Sequence, residues 1–239
     1  MIASSRSLVI FANAPEKGRV KSRIAADLGP DVALTAYKTL AEHAVAAASH
    51  VDWCRKTIAY APNGTGDAMR DWFGDLFDYR AQGDGDLGGR MLGALERAFS
   101  DGADRVILIG VDCPGVSEAV IGEAFSRLDQ ADAVIGPSFD GGYYLIGMKK
   151  VLKPLFTDIP FGTGDTLQKT LVAARRMGLR TSLLEWKRDV NTGDAWKGVA
   201  KTLTETKPVF KSTLPFIPVT EAFSVNCQKR QSLSISSIS

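Results

Sequence analysis

Apolar positions along this 239-residue chain keep two alternating rhythms. Short continuous runs rich in β-branched residues read as buried strands. Stretches whose apolar residues recur at three- and four-residue steps read as helices. Residues 7–12 form the first such strand, and after a loop of small and charged residues a helix is predicted over 31–49. In that helix Leu34, Tyr37, Leu40, Ala41, Ala44, Val45 and Ala48 share one face. Strands at 57–61 and 77–82 flank a short helix at 67–73, and a Gly-rich turn then leads into a helix over 89–99. The run Arg105–Gly110 (RVILIG) is the strongest strand, and its unbroken apolar character suits a central parallel strand buried on both faces. Val120, Ile121, Ala124, Phe125 and Leu128 mark the next helix, and strands at 133–136 and Tyr143–Met148 follow. A helix over 165–177, a strand over 181–186 and a helix over 194–203 close the pattern. The alternation predicts one doubly wound, three-layer α/β/α domain over residues 1–206, with a mostly parallel central sheet.

The character changes over residues 207–239. Pro208, Pro215 and Pro218 punctuate the apolar residues Val209, Phe210, Leu214, Phe216, Ile217 and Val219, which excludes a regular helix. An extended segment is expected there, packed on the body or on a second subunit of a homodimer. Residues 232–239 read as a Ser/Ile low-complexity end.

Composition narrows the class of protein more than its function. A hydrophobic share of 45% and a charged share of 23% allow a substantial core and exclude global disorder. With a net charge of +2 and no long run of like charges, neither a nucleic-acid-binding tail nor a polybasic membrane anchor is expected. The longest early apolar run, residues 8–12, is too short for a signal-peptide core or a membrane span. Cys54, Cys113 and Cys227 form no C-x-x-C pair and leave one thiol over in any disulfide scheme, which fits a reducing cytoplasm. The two histidines, His43 and His50, fall in one helix and are expected on or near a solvated face. Histidine-based nucleophilic catalysis and the usual zinc sites therefore have little material.

In an open α/β sheet, ligands bind outside the carboxyl ends of the strands, so the loops there carry the candidates. The loop after the first strand places Lys17, Arg19, Lys21 and Arg23 within seven residues, beside a conformationally free Gly18. Its N–H groups and cations suit a di- or triphosphate, although no Walker A pattern is present. Residues 83–88 match G-x-G-x-x-G, but the unit stands third in the chain and lacks the acidic partner of a dinucleotide site. Close backbone approach to a base or ribose suits it better.

Asp112, at the end of the central strand, is placed to hold Mg²⁺ or Mn²⁺ against phosphate oxygens, while Ser117 serves as cap of the next helix. Asp140, Gly141, Gly142, Tyr143 and Tyr144 combine a carboxylate, two flexible residues and two rings. They are read as an acceptor pocket that stacks on a sugar and binds or deprotonates a hydroxyl. Asp189 and Asn191 follow another strand end, where a second metal ligand would sit.

The segments FANAPEKGRVKSRIA (11–25), GDLGGRM (85–91), LIGVDCPG (108–115), GPSFDGGYYLIG (136–147) and DVNTGDAW (189–196) together resemble the nucleotide-diphospho-sugar transferase superfamily with the GT-A fold. More narrowly, the chain resembles its glycosyltransferase-like branch. VKSRIA is also similar to the phosphate-binding segment of phospholactate guanylyltransferases, and the general layout to molybdenum-cofactor guanylyltransferases. The resemblance implies a GT-A fold with Asp112 as principal metal ligand, phosphates held by residues 17–23, and the GDLGG turn near the base. DVNT resembles a D-x-D-T element in which the residue before Thr helps bind metal. Here that residue is Asn191, with Asp189 as rival or partner.

The expected nucleotide-binding set is thus Ala12, Lys17, Gly18, Arg19, Lys21 and Arg23, with Gly85, Asp86, Gly88 and Arg90 from the Gly-rich turn. Asp112, Asp140 and Lys21 are the catalytic candidates, and Asp165 joins the substrate-binding set as an alternative base. Two enzymatic readings follow. A sugar is transferred from a nucleotide-sugar to a small-molecule acceptor, or a nucleoside triphosphate is joined to a phosphorylated substrate with release of pyrophosphate. A nucleotide sensor without turnover is the third reading, and the intact acidic and basic sets count against it.

Overall fold

The structure, a computed structural model, describes residues 5–205. The chain runs β1 (Arg6–Asn13), α1 (Ser22–Leu28), α2 (Pro30–Ser49), β2 (Arg55–Ala61), α3 (Gly66–Phe73), β3 (Asp78–Ala81), α4 (Leu87–Ser100) and β4 (Arg105–Gly110). It continues through α5 (Glu118–Arg127), β5 (Ala133–Pro137), β6 (Tyr143–Met148), a 3₁₀ turn (Lys153–Leu155), α6 (Thr166–Arg176), β7 (Thr181–Leu183) and α7 (Gly193–Glu205). The predicted strands and helices are all present, with ends shifted by up to three residues. The boundary at Thr206 and the expected extended segment lie outside the described residues.

Two elements were not predicted. Helix α1 is seven residues long and buries only Ile24, so its charged sequence carries no readable helical stripe. The 3₁₀ turn is shorter still. Helix α2 begins one residue before its predicted start, with Pro30 in the first turn, where the missing proline N–H costs no hydrogen bond. Asp86 caps α4 by accepting from Gly89 N at 2.7 Å, so that helix also starts early. Ser117 caps α5, as its position suggests, accepting from Val120 N at 3.3 Å.

The seven strands lie in the order β3-β2-β1-β4-β6-β5-β7, and every pairing is parallel except those of β6. Strand order reverses between β1 and β4, which opens a crevice at their carboxyl ends. Because β6 runs backwards, the turn that precedes it lies on that same rim. Alternate residues of each strand feed two apolar layers. Leu8, Ile10, Ile58, Ile107 and Ile109 face Tyr37, Ala41, Val45 and Phe125. Val9, Ala59, Leu108, Ile135 and Ile146 face Met91, Leu95 and Leu155. Strand β4 is buried on both faces, as its composition predicts, with Val106 to Ile109 no more than 4% exposed.

A third apolar cluster stands beside the sheet. Ile24 of α1, Val32, Ala36 and Leu40 of α2, and Trp196, Ala200 and Leu203 of α7 close around Val190. Trp196 is fully buried at its centre. Replacement by Ala is expected to destabilise the protein by about 3–5 kcal/mol, the usual cost of emptying a buried aromatic site. Urea denaturation should show a lowered midpoint with an unchanged slope. A midpoint like that of the wild type would mean that the cluster relaxes around the gap.

Candidate active site

The phosphate-side loop leaves β1 on a fixed line. The Tyr37 hydroxyl, buried under α2, accepts from Asn13 N at 2.5 Å and donates to Asn13 O at 2.8 Å. Burial holds the Tyr37 phenol far above its ordinary pKa, so it works here as a neutral clamp. Further along, Lys21 adopts φ 50° and ψ 51° at the start of α1. This left-handed conformation is costly for a residue with a Cβ. It turns the side chain inward, where only 5% remains exposed. The ammonium donates to Val190 O at 2.6 Å and to Asn191 Oδ1 at 3.1 Å, and pairs with Asp112 Oδ1 at 2.8 Å.

The acidic side is assembled from three loops. Asp112 follows β4 directly, and its carbonyl accepts from Val190 N at 2.9 Å. Asp140 sits in the turn before β6. It accepts from Ser138 Oγ and from Gly142 N (3.1 Å) on one oxygen and from Asn191 Nδ2 (3.2 Å) on the other. The Asn191 amide thus bridges Lys21 and Asp140. Gly141 (φ 88°) lets this turn meet the loop before α6, since a Cβ there would stand 2.0 Å from Gly164 O.

Asp189 has one carboxyl oxygen buried without a hydrogen-bond partner. Burial, and then the negative charges of Asp140 and Asp112, push its pKa up to about 7 against the opposing pull of Lys21 and the Cys113 thiol. The same burial pushes the Cys113 thiol up to about 12, which removes it as a nucleophile.

Two adjoining cavities open on this rim. The larger, of about 510 Å³, is walled by Asp112, Asp140, Asp189 and Asn191 on the acidic side and by Arg23 and Arg90 on the basic side. Gly142, Tyr143 and Tyr144 also border it. The smaller, of about 380 Å³, is lined by Arg19, Asn63, Asp84, Gly85 and Arg90, and the two share Asn13 and Arg90.

Several predicted residues stand elsewhere. Ala12 is 2% exposed within the sheet, and its carbonyl accepts from the Gln82 side chain at 3.3 Å. Lys17 turns outward to Asp31 at 2.6 Å, whereas Arg19, paired with Glu16 at 3.1 Å, stays at the smaller cavity. Gly18 (φ 83°) turns the loop and borders neither cavity. Asp86 is occupied as a helix cap, and Gly88 is packed behind Phe161, whose ring leaves no room for a Cβ. Asp165 is exposed at the start of α6 and does not line the cavity, whereas Thr163, Gly164 and Thr166 do.

The two tyrosines border the cavity without offering it a common stacking face. Neighbours on a strand project to opposite faces. Tyr144 packs into one core layer and donates its hydroxyl to Glu185 O at 3.1 Å. Tyr143 packs against the other layer, its buried hydroxyl beside Thr170 without a hydrogen bond of good geometry.

Sequence reasoning missed Gln82. This buried amide donates to Ala12 O and Ala59 O and accepts from Arg90 at 2.8 Å, which aims the guanidinium along the cavity wall. Its only signal was an amide at the end of a strand. His43 is half-buried and His50 exposed, and the His43 ring hydrogen-bonds Pro114 O at 2.9 Å, bracing the loop that carries Asp112.

The sheet order, the single reversed strand and the acid-walled crevice between β1 and β4 define the nucleotide-diphospho-sugar transferase fold. The chain belongs to the family described as "Uncharacterized protein conserved in bacteria (DUF2064)", whose profile matches residues 39–163. A protein from Desulfovibrio desulfuricans, provisionally named a nucleotide-diphospho-sugar transferase, is 31% identical, with a TM-score of 0.79 over 94% of this chain and 98% of its own. A nucleotidyl transferase from Methanothermobacter thermautotroptrophicus is 17% identical (TM-score 0.58, 85% of this chain and 99% of its own) and shares the fold. So does 4-diphosphocytidyl-2C-methyl-D-erythritol synthase from Anaerococcus prevotii, at 13% identity (TM-score 0.55, 84% and 99%). No curated protein matches the sequence. Among the described residues, no helix is long and apolar enough to cross a membrane.

The Asp189 carboxyl gives the protein a definite pH response. Its folded-state pKa of about 7 lies above the ordinary 3.8, so between those values the folded protein holds a proton that the unfolded chain releases. This group's contribution to stability is therefore greatest in acid and falls as pH rises from about 4 to about 7. Asp189→Asn removes the titration and is expected to be more stable than wild type at pH 8, by up to about 4 kcal/mol, and closer to it at pH 5. Urea melts of both proteins at the two pH values measure this. An equal gap at both would show that Asp189 is not crowded by its neighbours.

Proposed function

We propose that the protein is a metal-dependent transferase that takes a nucleotide-sugar in the crevice between β1 and β4 and passes the sugar to a small acceptor. The observation that carries this reading is the pair of cavities joined at Asn13 and Arg90, with the carboxylates gathered in the larger one. Its volume of about 510 Å³ suits a sugar with its acceptor, within the common range for small-molecule sites. In this reading the smaller cavity takes the base, Arg19 and Arg23 meet the phosphates, and Asp140 orients the acceptor hydroxyl.

A divalent cation fits the donor set. Among the described residues, no group of three or more His, Cys, Asp and Glu is arranged as a metal cluster. Asp112, Asp189 and Asn191 nevertheless offer hard oxygen donors, and the orphaned Asp189 oxygen gains a partner when a cation binds. Mg²⁺ or Mn²⁺ held there would supply charge against the phosphate oxygens. The residues themselves bind and orient. Arg90 is aimed by Gln82, Asp140 is fixed by its hydrogen bonds, and Gly141 and Gly164 keep the acceptor wall closed against α6.

Nucleotidyl transfer is the second reading. What favours it is Arg23, whose guanidinium lines the larger cavity and has no ion pair or hydrogen bond among the described residues, leaving it available to a departing pyrophosphate.

A thermal-shift panel in Mg²⁺ and Mn²⁺ separates these readings. A nucleotide-sugar is expected to stabilise beyond its bare diphosphate, and a ligand at a hundred times its dissociation constant adds about 2.7 kcal/mol. Arg23→Ala should weaken a di- or triphosphate by about 1.5–3 kcal/mol while sparing the nucleoside. A triphosphate that outperforms every nucleotide-sugar, with pyrophosphate released on addition of a phosphorylated acceptor, would move the case to nucleotidyl transfer. Absence of any shift with any nucleotide would remove both readings.

A further inference from the structure

We infer that Lys21 is the resident counter-ion of the acidic cleft. Its ammonium occupies the place that a divalent cation would take between Asp112 and Asn191, and the two cations exclude each other. The inference rests on the reading of Asp112 and Asn191 as cation ligands. An ammonium has three hydrogens to give. Here they go to Val190 O (2.6 Å), Asp112 Oδ1 (2.8 Å) and Asn191 Oδ1 (3.1 Å), so none is left for a phosphate.

This is a built arrangement rather than a chance surface pairing. The Lys21 side chain is 5% exposed, its backbone holds a left-handed conformation, and its partners lie far along the chain, at Asp112 and at Val190 and Asn191. Arg23, the neighbouring cation in the cavity wall, takes no part in it.

Distance and charge set the two cations against each other on these two oxygens. Mg²⁺ binds its oxygen ligands at about 2.0–2.1 Å. An ion at that distance from the two oxygens already held by Lys21 Nζ would press two positive charges together with little solvent between them. The ion enters when Nζ leaves, and Nζ leaves for an anion that replaces what it gives up. The phosphates of an incoming nucleotide are such an anion. In the ligand-free protein the lysine therefore keeps free divalent ions out, and metal and nucleotide reinforce each other's binding. With nucleotide present, Lys21 becomes the phosphate contact that its place in the loop suggested.

The test needs no turnover. Mn²⁺ is titrated into the full chain without nucleotide, and the free ion is followed by electron paramagnetic resonance. Wild type is expected to bind weakly, Lys21→Met about tenfold or more tighter, and Lys21→Arg, which keeps the charge, as weakly as wild type. Lys21→Gln takes the place of Lys21→Met should that variant not fold. Mn²⁺ affinity in the neutral variants no higher than in wild type would overturn the inference, as would tight binding by Lys21→Arg. A nucleoside diphosphate should raise Mn²⁺ affinity more in wild type than in Lys21→Met, and an equal gain in both counts against it. Failure of every protein to bind nucleotide would sink the proposed function and leave the metal-only comparison standing.

Discussion

The site depends on one buried ammonium. Lys21 Nζ gathers the loop after β1, the end of β4 and the loop before α7 into a single contact, reaching 169 residues along the chain to Val190 and 170 to Asn191. Without that charge, the crowding of Asp189 by Asp140 and Asp112 would be unrelieved, and the left-handed turn at Lys21 would have nothing to offset its strain. The Asn191 amide extends the contact to Asp140, so the acidic wall is held by alternating donors and acceptors.

Sheet topology decides which groups the ammonium can gather. With β6 reversed, the turn carrying Asp140 comes to the rim where β1 and β4 end. A parallel strand in that place would have sent the turn to the opposite edge. The close approach of Gly141 to Gly164 then fixes the turn against the loop leading into α6, so one wall of the cavity is set by backbone rather than by adjustable side chains.

Much of this was readable from residue order. Strands β1 and β4 announce themselves because burial on both faces demands unbroken apolar runs, and Asp112, Asp140, Asp189 and Asn191 stand near strand ends, where an open sheet collects ligands. What stayed hidden is tertiary. Four cations in one loop look like four phosphate contacts, yet Lys17 finds a carboxylate outside the site and Lys21 turns inward, leaving Arg19 and Arg23 at the cavities. Gln82 and Tyr37 act through carbonyls and amides that no local pattern marks. Tyr143 and Tyr144 both border the larger cavity, but as neighbours on a strand they project to opposite faces, so the two rings do not share one stacking surface.

The third apolar cluster has a mechanical consequence. Ile24 lies three residues beyond Lys21, Val190 just ahead of Asn191, and Trp196 five residues past it, all in one packed body with α2. Interiors packed this densely move as solid pieces rather than deform. The basic loop and the Asp189–Asn191 segment are therefore anchored to one packed piece, which forms one jaw of the crevice. A side chain as remote as Leu203 in the last described helix helps keep that jaw rigid, so the grip on a ligand is partly set where no ligand reaches.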